Sequence, residues 1–190
     1  MPASDQPRFV SRGGDKLAAA LDAFAIRVTG RCAADLGSNV GGFVDCLLQR
    51  GAARVHAVER GYGVLAYRLR RDPRVVVHER TSVLSLSLPE LVELVTIDVG
   101  WTRQRHVLPV ARRLLAPRGQ IVSLVKPHYE AGPARLKRGV LPIERLDEVL
   151  AEVRAALPAA GLALCGEARS ALVGRGGNVE VFFLLEATAP

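Results

Sequence analysis

The sequence is short of lysine and of aromatic residues, and each shortage limits how the protein can be built. Only three of its 26 basic residues are lysines, namely Lys16, Lys126 and Lys137. A lysine therefore stands out in this chain, and unlike arginine it can lose its proton when its surroundings demand it. Aromatic residues make up 5% of the chain, so the core must consist mainly of leucine, valine and alanine.

Cysteines and long apolar runs are also scarce. The three cysteines are odd in number and widely spaced, which predicts neither a disulfide framework nor a metal site. Cys32 and Cys46 lie in apolar stretches and are typical of small core residues. No run approaches the ~20 apolar residues that span a membrane, and residues 1–8 do not resemble a signal peptide. We therefore expect a reduced, cytoplasmic setting without a membrane or a metal.

What the chain has in excess is positive charge. It carries a net charge of +7 over 190 residues, a length that fits one domain. This balance favours a polyanionic partner such as a nucleic acid, although a basic surface without a partner is the plain alternative. The segments 68–74, 103–113 and 135–138 are candidates to contact phosphates, and solvated helix faces are the default interpretation of the first two.

Short β-rich runs alternate with helical patterns along the whole chain. This alternation predicts an α/β fold with a mostly parallel, seven-stranded sheet and one antiparallel strand near the C-terminus. We expect residues 1–8 to be a flexible N-terminus and residues 9–190 to be a single domain. The predicted strands are 31–36, 54–58, 75–78, 94–98, 121–125, 162–165 and 180–185. The predicted helices are 17–24, 43–49, 64–71, 105–115 and 143–157, with a turn at 116–119.

A glycine-rich loop, residues 35–42, joins the first strand to a helix. Its pattern is G-x-x-x-G-G rather than the dinucleotide pattern G-x-G-x-x-G, and a plain strand-to-helix turn is the alternative. Asp35 at the end of a buried strand is costly without a partner, and a sulfonium ligand with an α-amino group would supply one. Glu59 ends the second strand, where a carboxylate can bind ribose hydroxyls. Glu79 is a candidate to bind an adenine amino group, or a solvated loop residue.

Two charged residues follow neighbouring strands of the predicted sheet. Asp98 ends the fourth strand and Lys126 ends the fifth, and ligands of open α/β sheets bind outside these carboxyl ends. Because adjacent strands are ~4.8 Å apart, the two side chains can meet over a bound cofactor. Lys16 and Glu180 lie near the two ends of the chain, in glycine-rich contexts.

Several short motifs, taken together in their order and spacing, carry a family resemblance. They are Ser11-Arg12-Gly13-Gly14-x-Lys16-Leu17, the loop 37–42 with Phe43, Gly51-Ala52, Glu79-Arg80-Thr81, Lys126-Pro127-x-x-Glu130 and Gly177-Asn178-x-Glu180. From about Arg8 to Leu185 the chain resembles the TlyA branch of the FtsJ-like (RrmJ-like) ribosomal RNA 2′-O-methyltransferases. The resemblance implies a Rossmann-like methyltransferase fold that binds S-adenosylmethionine without a metal and methylates a ribose 2′-oxygen of RNA.

The resemblance also implies roles for particular residues. The catalytic tetrad of the family falls on Lys16, Asp98, Lys126 and Glu180. We expect Lys126 to accept, or stabilise loss of, the 2′-hydroxyl proton, Asp98 to orient it, and Lys16 and Glu180 to position the ribose and Lys126. The expected cofactor-binding residues are Asp35, Gly37, Ser38, Gly41, Gly42, Phe43, Glu59, Glu79 and Asp98.

The sequence departs from the branch in three places. We expect the N-terminal S4 RNA-binding domain of the branch to be absent. Glu59-Arg60 replaces the usual Asp-Val, and residues 99–103 replace a Ser-Phe-Ile-Ser-like stretch. In that last segment Trp101 is expected either to stack on a base or to cover the sheet edge. Three competing functions stay open: an NAD-dependent oxidoreductase, an inactive RNA-binding module, and a methyltransferase for a small molecule or a non-ribosomal RNA.

Overall fold

The computed structural model describes residues 7–188, so most of the predicted flexible N-terminus lies outside the described residues. Within that range seven strands form one sheet. They are β1 Cys32–Leu36, β2 Arg54–Val58, β3 Val75–His78, β4 Val92–Ile97, β5 Leu115–Val125, β6 Leu162–Arg169 and β7 Val181–Ala187. The helices are α1 Arg12–Ala23, α2 Gly42–Gln49, α3 Tyr67–Arg70, α4 Gln104–Leu114, α5 Pro127–Glu130 and α6 Leu146–Ala156.

The sheet has the order β3-β2-β1-β4-β5-β7-β6. The pairs from β3 to β5 are all parallel, and β7 runs antiparallel between β5 and β6. The prediction of a mostly parallel seven-stranded sheet with one antiparallel strand near the C-terminus is confirmed. Because the parallel strands share a direction, the residues that follow β1, β4 and β5 meet at one edge.

Apolar side chains alternate between two cores, one on each face of the sheet. In β7, for example, Phe183 and Leu185 enter one core while Phe182 and Leu184 enter the other. Helices α4 and α6 cover the first face, and α1, α2 and α3 contribute to the second. This two-sided burial explains the continuous apolar runs of the central strands.

Several predicted boundaries differ from the structure for identifiable reasons. Helix α3 is a single turn rather than 64–71, because Ala66 has a non-helical backbone (ψ 136°) and its amide donates to the Val40 carbonyl of the glycine-rich loop. The predicted turn at 116–119 is a bulge inside the longer β5, where Arg118 adopts a left-handed conformation (φ 63°). Helix α1 begins at Arg12, five residues before the predicted start.

Glycines allow α1 and α2 to begin almost in contact. A Cβ atom on Gly14 would lie 2.3 Å from Cγ of Phe9, and one on Gly42 would lie 2.2 Å from Oγ of Ser11. A side chain at Gly42 would force the two helix starts apart, and one at Gly14 would displace Phe9. The close approach places the first half of α1, which carries Lys16, beside the glycine-rich loop.

Candidate active site

A cavity of 780 Å³ opens at the carboxyl ends of β1, β4 and β5. All four expected tetrad residues line it, together with most of the glycine-rich loop. The lining residues used below are Arg12, Lys16, Asp35, Gly37, Ser38, Gly42, Phe43, Asp98, Trp101, Lys126, His128, Tyr129 and Glu180. The sheet therefore brings together residues that are 164 positions apart in the chain.

Lys126 and Asp98 face each other across neighbouring strands. The Lys126 Nζ atom lies 2.5 Å from Asp98 Oδ1, although the angles do not make this contact a hydrogen bond. The same ammonium group donates to the carbonyl oxygen of Val99 at 3.2 Å. These contacts fix the end of a long, flexible side chain at the floor of the cavity.

Lys16 and Glu180 form a second ion pair in the same cavity. Lys16 Nζ donates to Glu180 Oε2 at 2.5 Å, and the two side chains are 13% and 5% exposed. Lys16 lies in the first half of α1 and Glu180 immediately before β7. The pair ties the two ends of the described chain together beside the Lys126–Asp98 pair.

The glycine-rich loop carries polar groups that suit a cationic, hydroxyl-bearing ligand. Asp35 is buried, and its Oδ1 atom accepts a hydrogen bond from Thr96 while Oδ2 has no partner among the described residues. Burial raises the pKa of Asp35 to about 8. The buried hydroxyl of Ser38 also lacks a partner in the described part of the chain. Gly37 must be a glycine, because a Cβ atom there would lie 2.6 Å from the Asp98 carbonyl oxygen.

Three expected cofactor residues do not line the cavity and instead shape its surrounding loops. Gly41 has φ 100° and begins α2. Glu59 accepts hydrogen bonds from the amides of Asn39 (2.9 Å) and Gly61 (2.7 Å). Glu79 pairs with Arg70, and this pairing lowers the pKa of its carboxyl. A direct contact between these three residues and a ligand stays a prediction.

Sequence reasoning singled out Trp101 but missed Arg12, His128 and Tyr129 at the mouth of the cavity. Tyr129, which the motif Lys126-Pro127-x-x-Glu130 places in α5, stacks on Trp101 with 4.7 Å between ring centroids. Trp101 is 84% exposed and has φ 62°. Burial and the Lys126 charge lower the pKa of His128. Arg12 is exposed at the same mouth, and its place in a motif beside Lys16 was the available signal.

The basic segment 68–74 is the weakest of the three predicted phosphate contacts. Arg68 pairs with Asp45, Arg70 with Glu79 and Arg74 with Asp72. Arg135, in the third segment, likewise pairs with the carboxylates of α6. Their charges are largely compensated within the protein.

The fold and the site together indicate the class of protein. An antiparallel β7 inserted between β5 and β6 distinguishes this sheet from the all-parallel dinucleotide-binding sheet. A buried acid beside a glycine-rich loop, with one oxygen left without a partner among the described residues and a lysine–carboxylate pair opposite, is the arrangement of a Rossmann-like methyltransferase. The described residues contain no helix long and apolar enough to cross a membrane.

Comparisons with known proteins agree with this class. A family model described as FtsJ-like methyltransferase matches residues 9–184. TlyA of Mycobacterium tuberculosis, named a 16S/23S rRNA (cytidine-2′-O)-methyltransferase, is 44% identical over 184 residues, which cover 93% of this chain and 68% of that protein. YqxC of Bacillus subtilis, provisionally named an rRNA methyltransferase, is 40% identical over 189 residues, 96% of this chain and 66% of its own length. The chain belongs to the FtsJ-like methyltransferase family.

A solved structure from Streptococcus thermophilus, provisionally described as a hemolysin, has the same fold. Its TM-score is 0.92 at 34% identity, and the match covers 98% of this chain and 70% of that one. The chain thus spans about two thirds of the length of the relatives it matches.

Proposed function

We propose that this methyltransferase uses S-adenosylmethionine to methylate a ribose 2′-hydroxyl of ribosomal RNA, with residues 9–190 as a single catalytic domain. The name of the similar TlyA protein supports the substrate class, and the net charge of +7 suits a polyanion. A ribosomal substrate would place the protein in the cytoplasm.

One observation carries the proposal: the Lys126–Asp98 and Lys16–Glu180 pairs line the same cavity as the glycine-rich loop. A transferase must hold donor and acceptor in line and activate a weak nucleophile. The loop supplies the first requirement, and an anchored amine opposite it supplies the second.

The buried polar atoms of the loop fit the cofactor. The unpartnered Asp35 Oδ2 suits its α-amino group, and the Ser38 hydroxyl suits a second polar atom. Bound S-adenosylmethionine would supply an electrophilic methyl group on a sulfonium. No metal enters this proposed chemistry.

Individual residues of the chain have separate roles in the proposed reaction. Lys126 accepts, or stabilises loss of, the proton of the 2′-hydroxyl, and Asp98 holds Nζ at that point. Lys16 and Glu180 position the ribose. The Trp101–Tyr129 stack at the cavity mouth offers an aromatic face to the neighbouring base, and Arg12 offers a charge to a phosphate.

An inactive RNA-binding module is the second candidate, and the altered segment after Asp98 is the feature that favours it. The intact pairs of lysine and carboxylate argue for activity instead. If the protein were an NAD-dependent oxidoreductase, neither lysine–carboxylate pair would have a role.

The test is to incubate the protein with methyl-labelled S-adenosylmethionine and deproteinised rRNA or intact ribosomal subunits, and then to map 2′-O-methyl nucleotides. We expect label at a discrete site. A matching RNA with a 2′-deoxynucleotide at that site should accept no label. Cofactor binding without transfer to either substrate would favour the inactive module, and transfer to a base would contradict ribose methylation.

A further inference from the structure

A second cluster of reactive side chains lies away from the candidate active site. Cys32 is the first residue of β1, His56 lies in the middle of β2, and Glu90 precedes β4. One ligand atom from each residue, the cysteine Sγ, a histidine ring nitrogen and a carboxylate oxygen, all lie within 4.8 Å of one another. The proposed methyl transfer uses none of them.

Sheet register brings the three residues together. Cys32 pairs with Arg54 and Ala34 with His56, so Cys32 and His56 point to the same face of the sheet. The connection between β3 and β4 then places Glu90 Oε1 3.1 Å from His56 Nε2. Because the spacing of the cysteines alone predicts no metal site, only the fold reveals this cluster.

The cluster is enclosed on the protein side and open at Glu90. The side chain of His56 is 1% exposed and that of Glu90 is 36% exposed, while Cys32 is half-buried. Arg54 Nη1 also contacts Glu90 Oε1 at 2.6 Å, and its side chain is 52% exposed. Since that guanidinium can turn into solvent, an ion can approach the carboxylate from outside.

A second histidine orients the first. His78 Nε2 lies 2.9 Å from His56 Nδ1. With an ion bound, Nδ1–H of His56 can donate to His78, so that the Nε2 lone pair binds the ion instead of Nε2–H donating to Glu90. Metal-bound histidines are usually held by such an outer partner.

We propose that Cys32, His56 and Glu90 bind one divalent transition-metal ion of the zinc class. Thiolate, imidazole and carboxylate are the donors that such ions take in four-coordinate sites, and three protein ligands leave a fourth position for water. Two donors on a tetrahedral ion at ~2.0–2.2 Å are about 3.3–3.6 Å apart, so the 3.1 Å between His56 Nε2 and Glu90 Oε1 needs to widen only slightly.

Binding has a defined proton balance. A cysteine thiol ordinarily carries its proton at neutral pH. Formation of the sulfur–metal bond breaks the S–H bond and releases one proton to solvent. Nε2 of His56 also gives up its proton to the solvent, while the Nε2 proton of His78 passes to Nδ1 of His56 and His78 takes up one proton at Nδ1, so the two histidines together neither gain nor lose a proton.

The ion would cross-link β1, β2 and the segment before β4. Because an unfolded chain does not hold these three residues together, binding stabilises the native state. The site is independent of the proposed methyl transfer, which needs no metal.

Cobalt(II) is the probe that tests this site, because a thiolate bound to it gives a charge-transfer band in the near ultraviolet. Titration of the full chain at pH 8 should give that band with one ion per chain, and zinc should displace it. Calorimetry in two buffers of different ionisation enthalpy should show release of about one proton, and saturating zinc should raise the melting temperature.

Matched variants decide whether the named residues are the ligands. Cys32→Ser should remove the thiolate band, whereas Cys165→Ser, at the surface cysteine of β6, should keep it. Glu90→Gln changes a partly exposed side chain and should weaken metal binding about tenfold or more. His106→Gln should leave metal binding unchanged. A wild-type titration without a thiolate band, a band that survives Cys32→Ser, or wild-type affinity in Glu90→Gln would each overturn the proposal.

Discussion

Asp35 gives the sharpest quantitative prediction, because a buried carboxyl faces the proposed cofactor. Burial raises its pKa from 3.8 to about 8, and the Thr96 hydroxyl opposes this only in part. The carboxyl is therefore mostly neutral at pH 7 in the free protein. A bound ammonium group beside Oδ2 requires the ionised form, so binding lowers the pKa and releases the proton.

The pH dependence follows from this shift. The bound state holds fewer protons than the free state, so the affinity for S-adenosylmethionine rises with pH until about 8. It should then fall, because an α-amino group loses its own proton above ~8. We expect at least about a tenfold gain in affinity between pH 6 and pH 8, with close to one proton released at pH 7.

Asp35→Asn is the matched variant, because an amide oxygen can still accept the Thr96 hydrogen bond. It should bind the cofactor more weakly, with no proton release and no gain between pH 6 and pH 8. The folded wild type holds the Asp35 proton more tightly than the unfolded chain does. The ionisation of this residue therefore lowers the free energy of unfolding progressively from about pH 4 to pH 8. At pH 7 the cost is roughly 4 kcal/mol, and the variant without cofactor should be more stable by up to that amount.

Isothermal calorimetry at pH 6, 7 and 8 in paired buffers measures both quantities, and denaturant unfolding measures the stability. Wild-type binding that releases no proton and stays flat over this range would refute the assignment of Asp35.

Further predictions concern packing, positioning and RNA affinity. Gly14→Ala should destabilise the fold by ~1–3 kcal/mol, because its Cβ would overlap Phe9; an unchanged unfolding midpoint would disprove the contact. Glu180→Gln should lower the methylation rate about ten- to hundredfold by freeing its partner amine, with cofactor affinity as the control. RNA affinity should fall linearly with salt on logarithmic axes, and Arg12→Ala should reduce the slope by about 1. Arg74→Ala should leave the slope unchanged, because Asp72 already pairs with that charge. Equal slopes for Arg12→Ala and the wild type would exclude Arg12 as a phosphate contact.

The sheet was predictable because its strands obey local rules. Short β-rich runs mark β2 and β3, whose bounds match the prediction, and parallel topology places Asp98 and Lys126 at one edge. The shortness of α3 was not predictable, since it depends on a hydrogen bond between Ala66 and Val40, 26 residues apart.

Some features of the candidate site could likewise be predicted from the sequence, and others only from the fold. Family motifs identify Lys16 and Glu180, but only the fold shows that they pair with each other. The Trp101–Tyr129 stack and the Cys32 cluster depend on side-chain directions across loops and strands, which no spacing in the sequence encodes.

The central claim is that the Lys126 amine acts on the ribose hydroxyl, and a single-turnover methylation rate tests it most directly. Lys126→Ala should lose at least about 100-fold in rate while its fold and its affinities for cofactor and RNA are retained. Lys137→Ala is the matched control, because this exposed lysine lies outside the cavity and should keep the wild-type rate once RNA is saturating, even if segment 135–138 contacts phosphates. Methyl transfer by Lys126→Ala at a near wild-type rate would contradict the account.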